Sequence, residues 1–326
     1  MPETKRTSPG LSCIPDKPKS TCRAKRHERL HSILSHLAGS RNFAMGNHPI
    51  SGRDKQVMAI DVHRCLAHWD IHRHIKIAKR IHKRSLLLSV LDGVSKRIER
   101  FRYYQGLHEV CLVVLEACQE DVTEATKCSV ALLETGFHDF THLDFQDSVL
   151  PLLDRVRKLV AAVDERLARC LSETGSEYHF VLPWVLTWFA HSLDSYDGIC
   201  NVYRTMIEAT IARKGDLIIY LCAAVLLEDS HRIMAHPDDT NHTIAMVQTS
   251  IRHVDIDSVI QTALRLFGRF PPDQLIPRCE RRNRIKSPRF PWSVSWRTTI
   301  LGVAAMTISL LIRYGREIGA IISTVF

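Results

Sequence analysis

Two short polar motifs contain the residues best suited to chemistry in this chain. The first, at residues 58–64, ends in Arg64, and the second, at residues 103–106, contains Gln105. An arginine guanidinium is always charged and offers forked donors to phosphate oxygens. A glutamine amide has a carbonyl that accepts from water and an NH2 group that donates to phosphate. The pair therefore has the side chains that a phosphoryl-transfer site needs to neutralise developing charge and to orient water.

Spacing alone leaves these roles open. Asp61 precedes Arg64 by three residues, so on a helix it can pair with the arginine or order its neighbours. An arginine in a basic helical stretch is also typical of a solvated face, and a glutamine before a glycine is typical of a turn. These ordinary surface roles stand beside the catalytic hypothesis.

The elements that would position these residues are predicted to be helices. Apolar residues recur at three-and-four spacing from residue 56 onward, and again over 86–98, 107–118, 150–167, 181–193, 217–227 and 259–267. No period-two strand or Asn-Gly hairpin signal competes with this pattern. The sequence therefore predicts an all-α domain over residues 51–275, ending near the turn signal Pro271-Pro272.

The two ends of the chain differ in composition from this domain. Residues 1–50 are rich in Ser, Pro and basic residues, with helical apolar spacing only at 30–37, so we expect a basic, mostly disordered arm. A basic linker follows the domain over 276–292, and residues 293–326 contain an uncharged stretch of 15 residues at 298–312. That stretch is shorter than the ~20 residues that usually span a bilayer. Flanking tryptophans and arginines nevertheless favour a membrane-anchoring helix, as a single span or a hairpin, over a core helix.

Charge and cysteine content narrow the function classes. The chain of 326 residues has a formal net charge of +9, which favours an acidic partner such as a phospholipid surface, a nucleic acid or an acidic protein. Its ten cysteines include no C-x-x-C pair, which favours reduced buried thiols over a disulfide framework. The N-terminus has no apolar core of the kind found in a signal peptide, so we expect a cytosolic domain.

A basic, histidine-rich stretch at residues 63–84 suggests two further classes of site. His68 and His72 stand four residues apart, a spacing that can bind zinc, but no cysteine or carboxylate set completes a persuasive site. No zinc-finger or RNA-recognition motif accompanies the positive charge. We therefore expect no metal site and no nucleic-acid partner, and a basic face that meets an anionic bilayer or an acidic protein.

Together and in this order, the two motifs resemble those of the TBC domain, the catalytic module of GTPase-activating proteins for Rab GTPases. That family has an I-x-x-D-x-x-R motif and a Y-x-Q motif. Met58, Asp61 and Arg64 match the first motif, with Met in place of Ile. Tyr103 and Gln105 match the second. The resemblance implies an all-α, TBC-type multi-helix domain followed by the C-terminal membrane-anchoring helix.

Other stretches extend the resemblance to residues 56–272, about two-thirds of the chain. They include residues 104–110 and the tryptophan-rich stretch at 182–191. The chain looks most similar to the branch with a C-terminal membrane anchor, which acts on the Rab of endoplasmic-reticulum to Golgi transport. One motif departs from the family: its R-x-x-x-W segment is not recognisable before residue 56, and Trp69 follows the arginine motif instead.

The resemblance implies a role for each matched residue. Arg64 would be an arginine finger, and Gln105 a second finger that replaces the GTPase's own glutamine. Asp61 and Tyr103 would support them. The implied partner is a Rab in its GTP form, which brings GTP and Mg²⁺, so the chain itself would need no cofactor and would have no hydrolase activity of its own.

The implied location is the cytosolic face of an intracellular membrane, with the endoplasmic reticulum favoured, and the implied process is early secretory traffic. The main alternative is a catalytically inactive, membrane-tethered scaffold that binds GTP-loaded Rab. A more distant alternative is a basic membrane adaptor with no GTPase partner.

Overall fold

The computed structural model describes residues 19–39, 50–212, 216–237 and 239–272, and this part of the chain is helical with no β-strand. In chain order, its α-helices are α1 (Lys19–Gly39), α2 (Gly52–Arg64), α3 (Ile77–Arg97), α4 (Leu107–Ala117), α5 (Val122–Gly136), α6 (His138–His142), α7 (Phe145–Ser148), α8 (Leu150–Val163), α9 (Glu165–Glu173), α10 (Leu182–Thr187), α11 (Tyr196–Ile211), α12 (Leu217–Glu228), α13 (Ser230–Ile233), α14 (Thr240–Ser250) and α15 (Ile256–Arg269). Two short 3₁₀-helices cover Asp70–His72 and His179–Val181. The prediction of an all-α domain is confirmed.

The core is built around two helices that are apolar on nearly every side. All of α4 except Glu116 is buried, and residues 217–226 of α12 are buried as well. A helix that is hydrophobic all round must be enclosed by others. Around α4 pack α1, α3 and α5, while α8 and α15 cover α12. The N-terminal end of α4, where the second polar motif lies, is therefore fixed by the packing of the whole domain.

Helix α1 lies within residues 1–50, where a mostly disordered arm was expected, and it is ordered; residues 1–18 and 40–49 of that arm lie outside the described residues. Leu30, Leu34 and Leu37 are buried in the core, and α1 packs against α5 and α11. The Ser35 hydroxyl also donates to Glu124 Oε1 at 3.1 Å. The apolar stripe of α1 is short and most of its other residues are polar or charged, so composition alone indicated disorder. Burial of the three leucines against the core offsets the entropy lost on ordering this helix.

The predicted membrane anchor lies outside the described residues. Among the helices that the structure describes, none combines the length and the apolar character required to cross a bilayer. The uncharged stretch at 298–312 and the basic linker at 276–292 both follow residue 272, the last described position.

The apolar stripe predicted over 181–193 is not one helix. Helix α10 ends at Thr187, and Trp188 and Phe189 follow with φ of 45° and 66°. Such left-handed conformations are unfavourable for residues with a Cβ and need support from the surrounding packing. The support is visible at Trp188, whose ring stacks on Phe137 with centroids 4.3 Å apart. Tertiary packing at this point overrides the helical pattern of the sequence.

Replacing Gly136 with alanine is expected to destabilise this packing. A Cβ at Gly136 would lie 2.5 Å from Cη2 and 2.6 Å from Cζ2 of Trp188, closer than atoms tolerate. Overpacking of this kind lowers the free energy of unfolding by about 1–3 kcal/mol, which urea titration followed by circular dichroism would measure. Gly198→Ala is the matched control, because a Cβ at that helical glycine meets nothing nearer than 3.8 Å. A Gly136→Ala midpoint at or above that of the wild type would contradict the prediction.

Candidate functional site

Helix α2 places Asp61 inside the domain and Arg64 at its surface. The helix begins at the N-cap Ser51, whose side chain accepts from the Asp54 amide at 3.0 Å, and it ends where Cys65 turns to an extended conformation. Asp61 is only 5% exposed, whereas Arg64, one turn later, is exposed. An arginine in the last helical turn also interacts favourably with the helix dipole.

The backbone that follows Arg64 is held by two arginines of α3. Arg80 Nη1 donates to the Leu66 carbonyl at 2.6 Å, and Arg84 Nη2 donates to the Cys65 carbonyl at 3.2 Å. Leu66 has a φ of 70°, a left-handed conformation that these contacts help to maintain. Part of the basic stretch at residues 63–84 is therefore internal to the domain rather than a surface for a partner.

Gln105 occupies the second position of a tight turn before α4. The Leu107 amide donates to the Tyr104 carbonyl at 3.1 Å, and Gly106 has φ 106° and ψ −20°. These values describe a type II turn, whose third position requires the positive φ that glycine adopts without strain. Gln105 is half-buried. The Tyr104 hydroxyl anchors the turn from one side by donating to the Leu186 carbonyl at 3.1 Å.

A hydrogen bond joins the two motifs. The Tyr103 hydroxyl donates to Asp61 Oδ2 at 3.0 Å, although the two residues lie 42 positions apart in the chain. Arg64 follows Asp61 by three residues and Gln105 follows Tyr103 by two, so the two candidate fingers flank this bond. Among the residues that the structure describes, none is hydrogen-bonded to the Arg64 guanidinium or to the Gln105 amide.

The contacts continue from the second motif to the tryptophan-rich stretch at residues 182–191. His108 Nδ1 lies 3.2 Å from the Tyr103 hydroxyl, and the next residue, Glu109, is buried. Glu109 Oε1 lies 3.0 Å from His191 Nδ1, 3.9 Å from His68 Nε2 and 4.0 Å from His108 Nε2. A buried polar network thus connects residues 58–64, 103–110 and 182–191, the three stretches on which the family resemblance rests.

Burial and neighbouring charges shift the pKa values of three groups in this network. Burial alone would raise the pKa of Glu109, but the His191, His68 and His108 imidazoles outweigh it and hold that pKa well below its usual range. Burial lowers the pKa of His108 despite the neighbouring carboxylates. Burial also raises the pKa of Asp61, against the opposing effects of His108 and the Tyr103 hydrogen bond. His108 is therefore neutral near pH 7, with one nitrogen as donor and the other as acceptor.

The domain is expected to lose stability below pH 6.5, partly through His108. Its pKa in the folded state lies below the ordinary value of 6.5, so the unfolded chain takes up the proton first. The stability that neutral His108 contributes is present above pH 6.5 and is lost as the pH falls toward the folded pKa, with a slope of up to about 1.4 kcal/mol per pH unit. The lowered pKa of Glu109 adds a further loss only below pH 4.5.

Urea unfolding between about pH 5 and about pH 7.5 would measure this effect. We expect His108→Gln to show a shallower fall in the free energy of unfolding over that window than the wild type. His253→Gln, at an exposed position, is the matched control and should follow the wild type. Parallel curves for the wild type and His108→Gln would exclude the assigned direction of the shift.

The structure separates the two histidines that sequence spacing suggested as a zinc pair. His68 Nε2 lies 3.2 Å from the Ala190 carbonyl, whereas His72 Nε2 lies 2.9 Å from Glu116 Oε1 and its ring stacks on Trp69. Each histidine therefore belongs to a different buried network. Lys83 joins the second network by pairing with Glu116, which explains why a lysine in the basic stretch is only 4% exposed.

The sequence pattern indicates no role for His108, Glu109 or His191. All three lie in stretches that it singled out, but their function in the network depends on contacts between distant parts of the chain, such as the 82 positions that separate Glu109 from His191. One available signal was the His-Glu pair at the start of an otherwise apolar helix. Buried charged groups are rarely left without partners.

Comparison with known proteins identifies the sequence family whose pattern this chain matches. The model of the Rab-GTPase-TBC domain matches residues 40–234, more than half of the chain. The chain is 28% identical over 161 residues to the GTPase-activating protein gyp10 of Schizosaccharomyces pombe, covering 46% of this chain and 39% of that protein. It is 22% identical over 234 residues to human TBC1 domain family member 20, covering 70% of this chain and 56% of that protein. The chain therefore spans between about two-fifths and somewhat over half of the length of these relatives.

Two solved structures have a similar fold. One is the Chlamydomonas flagellar RabGAP TBC domain, with a TM-score of 0.52 and 16% identity, covering 76% of each chain. The other is the Ypt/Rab-GAP domain of Gyp1p, with a TM-score of 0.53 and 15% identity, covering 77% of this chain and 83% of that one. At these identities the likeness concerns the fold alone.

Proposed function

Because this chain belongs to the Rab-GTPase-TBC domain family, we propose that it is a GTPase-activating protein that stimulates GTP hydrolysis by a Rab GTPase. Arg64 is the arginine finger and Gln105 the glutamine finger. Asp61 and Tyr103 are positioning residues that act through them. The Rab brings GTP and Mg²⁺, so the chain supplies side chains to the reaction and needs no cofactor of its own.

The observation that carries this proposal is the Tyr103–Asp61 hydrogen bond. It ties the end of α2, with its exposed Arg64, to the turn that holds Gln105. Catalysis by side chains supplied in trans depends on holding them in place before the partner arrives, since ordering them later would consume binding free energy. The link between the two motifs supports a common, preorganised site.

Each finger has a defined task in this mechanism. As water attacks the γ-phosphoryl group, negative charge develops on the transferred group and on the leaving oxygen of GDP. Arg64 neutralises that charge through its forked N–H donors. The Gln105 carbonyl accepts a hydrogen bond from the attacking water, and its NH2 group donates to a phosphate oxygen, which orients the water in line.

The experiment that tests the proposal is single-turnover GTP hydrolysis by a panel of purified, GTP-loaded Rabs with Mg²⁺, with and without the full chain. Acceleration of phosphate release by at least one Rab is the expected result. If a Rab binds the folded chain in its GTP form without acceleration, the protein is the inactive scaffold instead. Failure to bind any Rab of a complete panel would favour the membrane adaptor.

We also propose that the chain is anchored to the cytosolic face of the endoplasmic reticulum and regulates early secretory traffic. The proposal rests on the branch that the sequence resembles, on the uncharged stretch at 298–312 and on the basic linker before it. Alkaline extraction of membranes from cells that express the full chain tests the anchor. The wild type should remain in the membrane pellet, and Leu310→Arg should be released, because a charge in this stretch opposes insertion. Equal release of both proteins would refute the anchor.

A further inference from the structure

We propose that Glu134, His138 and His142 form a binding site for a divalent transition-metal ion, with Zn²⁺ as the preferred ligand. One oxygen or nitrogen of each residue lies within 4.8 Å of those of the other two. Two imidazoles and one carboxylate are a ligand set that zinc accepts, with water completing the tetrahedron. The site is separate from the buried network around Asp61 and Glu109, and it does not depend on the proposed GTPase-activating function.

The three ligands lie across the junction of two helices. Glu134 is in the last turn of α5, and His138 and His142 are the first and last residues of α6. The residue between the helices, Phe137, is buried, and its carbonyl accepts from the Thr141 amide at 3.2 Å. Phe137 also stacks on Trp188, so the junction is fixed by packing, while Glu134 and His142 are half-buried and His138 is exposed.

The hydrogen bonds of His142 leave its other nitrogen available to a cation. His142 Nδ1 lies 3.0 Å from the His138 carbonyl, which can only accept, and 2.9 Å from the Thr141 hydroxyl, which can accept as well as donate. The tautomer with the proton on Nδ1 satisfies both contacts. In the neutral ring, Nε2 is then unprotonated, and it lies 3.7 Å from Glu134 Oε1. A lone pair and a carboxylate oxygen face each other at that distance. A cation between them turns this repulsion into attraction on both sides.

The environment of His138 follows the same pattern. Its Nδ1 lies 3.4 Å from Asp139 Oδ1, which leaves Nε2 as the free nitrogen. Metal-binding histidines usually donate their second N–H to a carbonyl or carboxylate, which fixes the tautomer and orients the ring. Both histidines of the site therefore have the outer hydrogen-bond acceptors that such ligands require.

The site accommodates a small ion once the His138 ring rotates out of its stack on His142, because stacked rings direct their in-plane lone pairs side by side. The two imidazole rings are stacked, with centroids 4.2 Å apart and planes within 9° of parallel. Zinc–ligand distances of about 2.0–2.2 Å imply ligand atoms roughly 3.3–3.6 Å apart. The His138 side chain is 50% exposed, so it can rotate without disturbing the core. Imidazole nitrogen selects Zn²⁺ and its neighbours in the series over Mg²⁺ and Ca²⁺, which prefer oxygen.

A bound ion would connect α5 to α6 beside the turn that holds Gln105. The Arg102 amide donates to the Thr141 carbonyl of α6 at 3.2 Å, and the Tyr104 and Phe140 rings have centroids 6.1 Å apart. Binding should therefore raise the thermal stability of the domain, because the metal binds the folded arrangement of the three ligands and not the unfolded chain.

Co²⁺ titration of the full chain, purified without a histidine tag, tests this proposal by visible absorption and by displacement with Zn²⁺. We expect saturable binding that the double variant His138→Gln, His142→Gln weakens by more than roughly tenfold. Zn²⁺ should raise the melting temperature of the wild type but not of this double variant. Circular dichroism without metal would establish that both proteins are folded.

The matched control is His236→Gln, His242→Gln, which removes another close pair of histidines, with ring centroids 4.6 Å apart. This variant should bind Co²⁺ as the wild type does. The proposal is overturned if the wild type binds no Co²⁺ saturably, if the double variant at 138 and 142 binds equally well, or if the control variant alone loses the absorption.

Discussion

Replacing Arg64 with alanine is expected to lower the stimulated rate of GTP hydrolysis by about 10³- to 10⁵-fold, the range over which arginine fingers act. The fold should not change, because Arg64 is exposed and no described residue accepts a hydrogen bond from its guanidinium. The loss should fall on the chemical step, since the guanidinium interacts most strongly with charge that is present only in the transition state. Affinity for GTP-loaded Rab should change much less than the rate.

Single-turnover phosphate release, measured at several concentrations of the chain, separates the maximal rate from the binding constant. Arg53→Ala is the matched control, because Arg53 is exposed on the same helix and lies in its first turn. Arg64→Lys should also lose most of the stimulation, because lysine retains the charge but not the planar fork. If Arg64→Ala stimulates the Rab within threefold of the wild type, Arg64 is not the finger.

The local parts of this site could be predicted from the sequence, and the long-range parts could not. The apolar spacing after residue 106 predicts α4, because a helix depends mainly on residues three and four apart. The Tyr103–Asp61 hydrogen bond, by contrast, joins residues whose proximity follows only from the packing of α2 against α4. The motifs identified the candidate residues, and the fold explains how they come together.

The spacing of apolar residues indicates helices α5 and α1 only weakly, and the reasons are physical. Helix α5 buries Thr126 and Ser129 together with its apolar residues, so its buried face is wider than its apolar stripe. Helix α1 has an apolar stripe too short to predict a core helix on its own, yet Leu30 and Leu34 are fully buried. In both cases packing against partner helices buries these residues, and the partners lie too far along the chain to appear in a local sequence pattern.

The metal-site hypothesis shows a related limit. The spacing of His68 and His72 in a histidine-rich stretch suggests a zinc pair, but the two side chains contact carboxylates of separate networks. His138 and His142 have the same spacing, but His138 is exposed and His142 is half-buried. Spacing indicates which side chains can share a helix face, whereas exposure and hydrogen bonding decide whether their nitrogens remain available.

Replacing Gln105 with alanine is expected to lower the stimulated rate by about 10²- to 10³-fold, the usual effect of removing one preorganised donor from a transition-state site. Gln105 lies on a turn that Tyr103 anchors to α2 and Tyr104 anchors to the Leu186 carbonyl. Because the turn is held from both sides, the backbone that carries the Gln105 side chain is positioned before the Rab binds. Removing the amide should therefore leave the fold and the Rab affinity nearly unchanged.

A Rab variant that lacks its own catalytic glutamine provides the sharpest measurement of this role. If Gln105 orients the attacking water, the wild-type chain should still stimulate that Rab variant, and Gln105→Ala should not. Gln261→Ala, at an exposed position of α15, is the matched control and should stimulate both Rabs as the wild type does. Stimulation of the normal Rab by Gln105→Ala, combined with no stimulation of the Rab variant by the wild type, would assign water positioning to the Rab's own glutamine. The chain would then contribute the arginine alone.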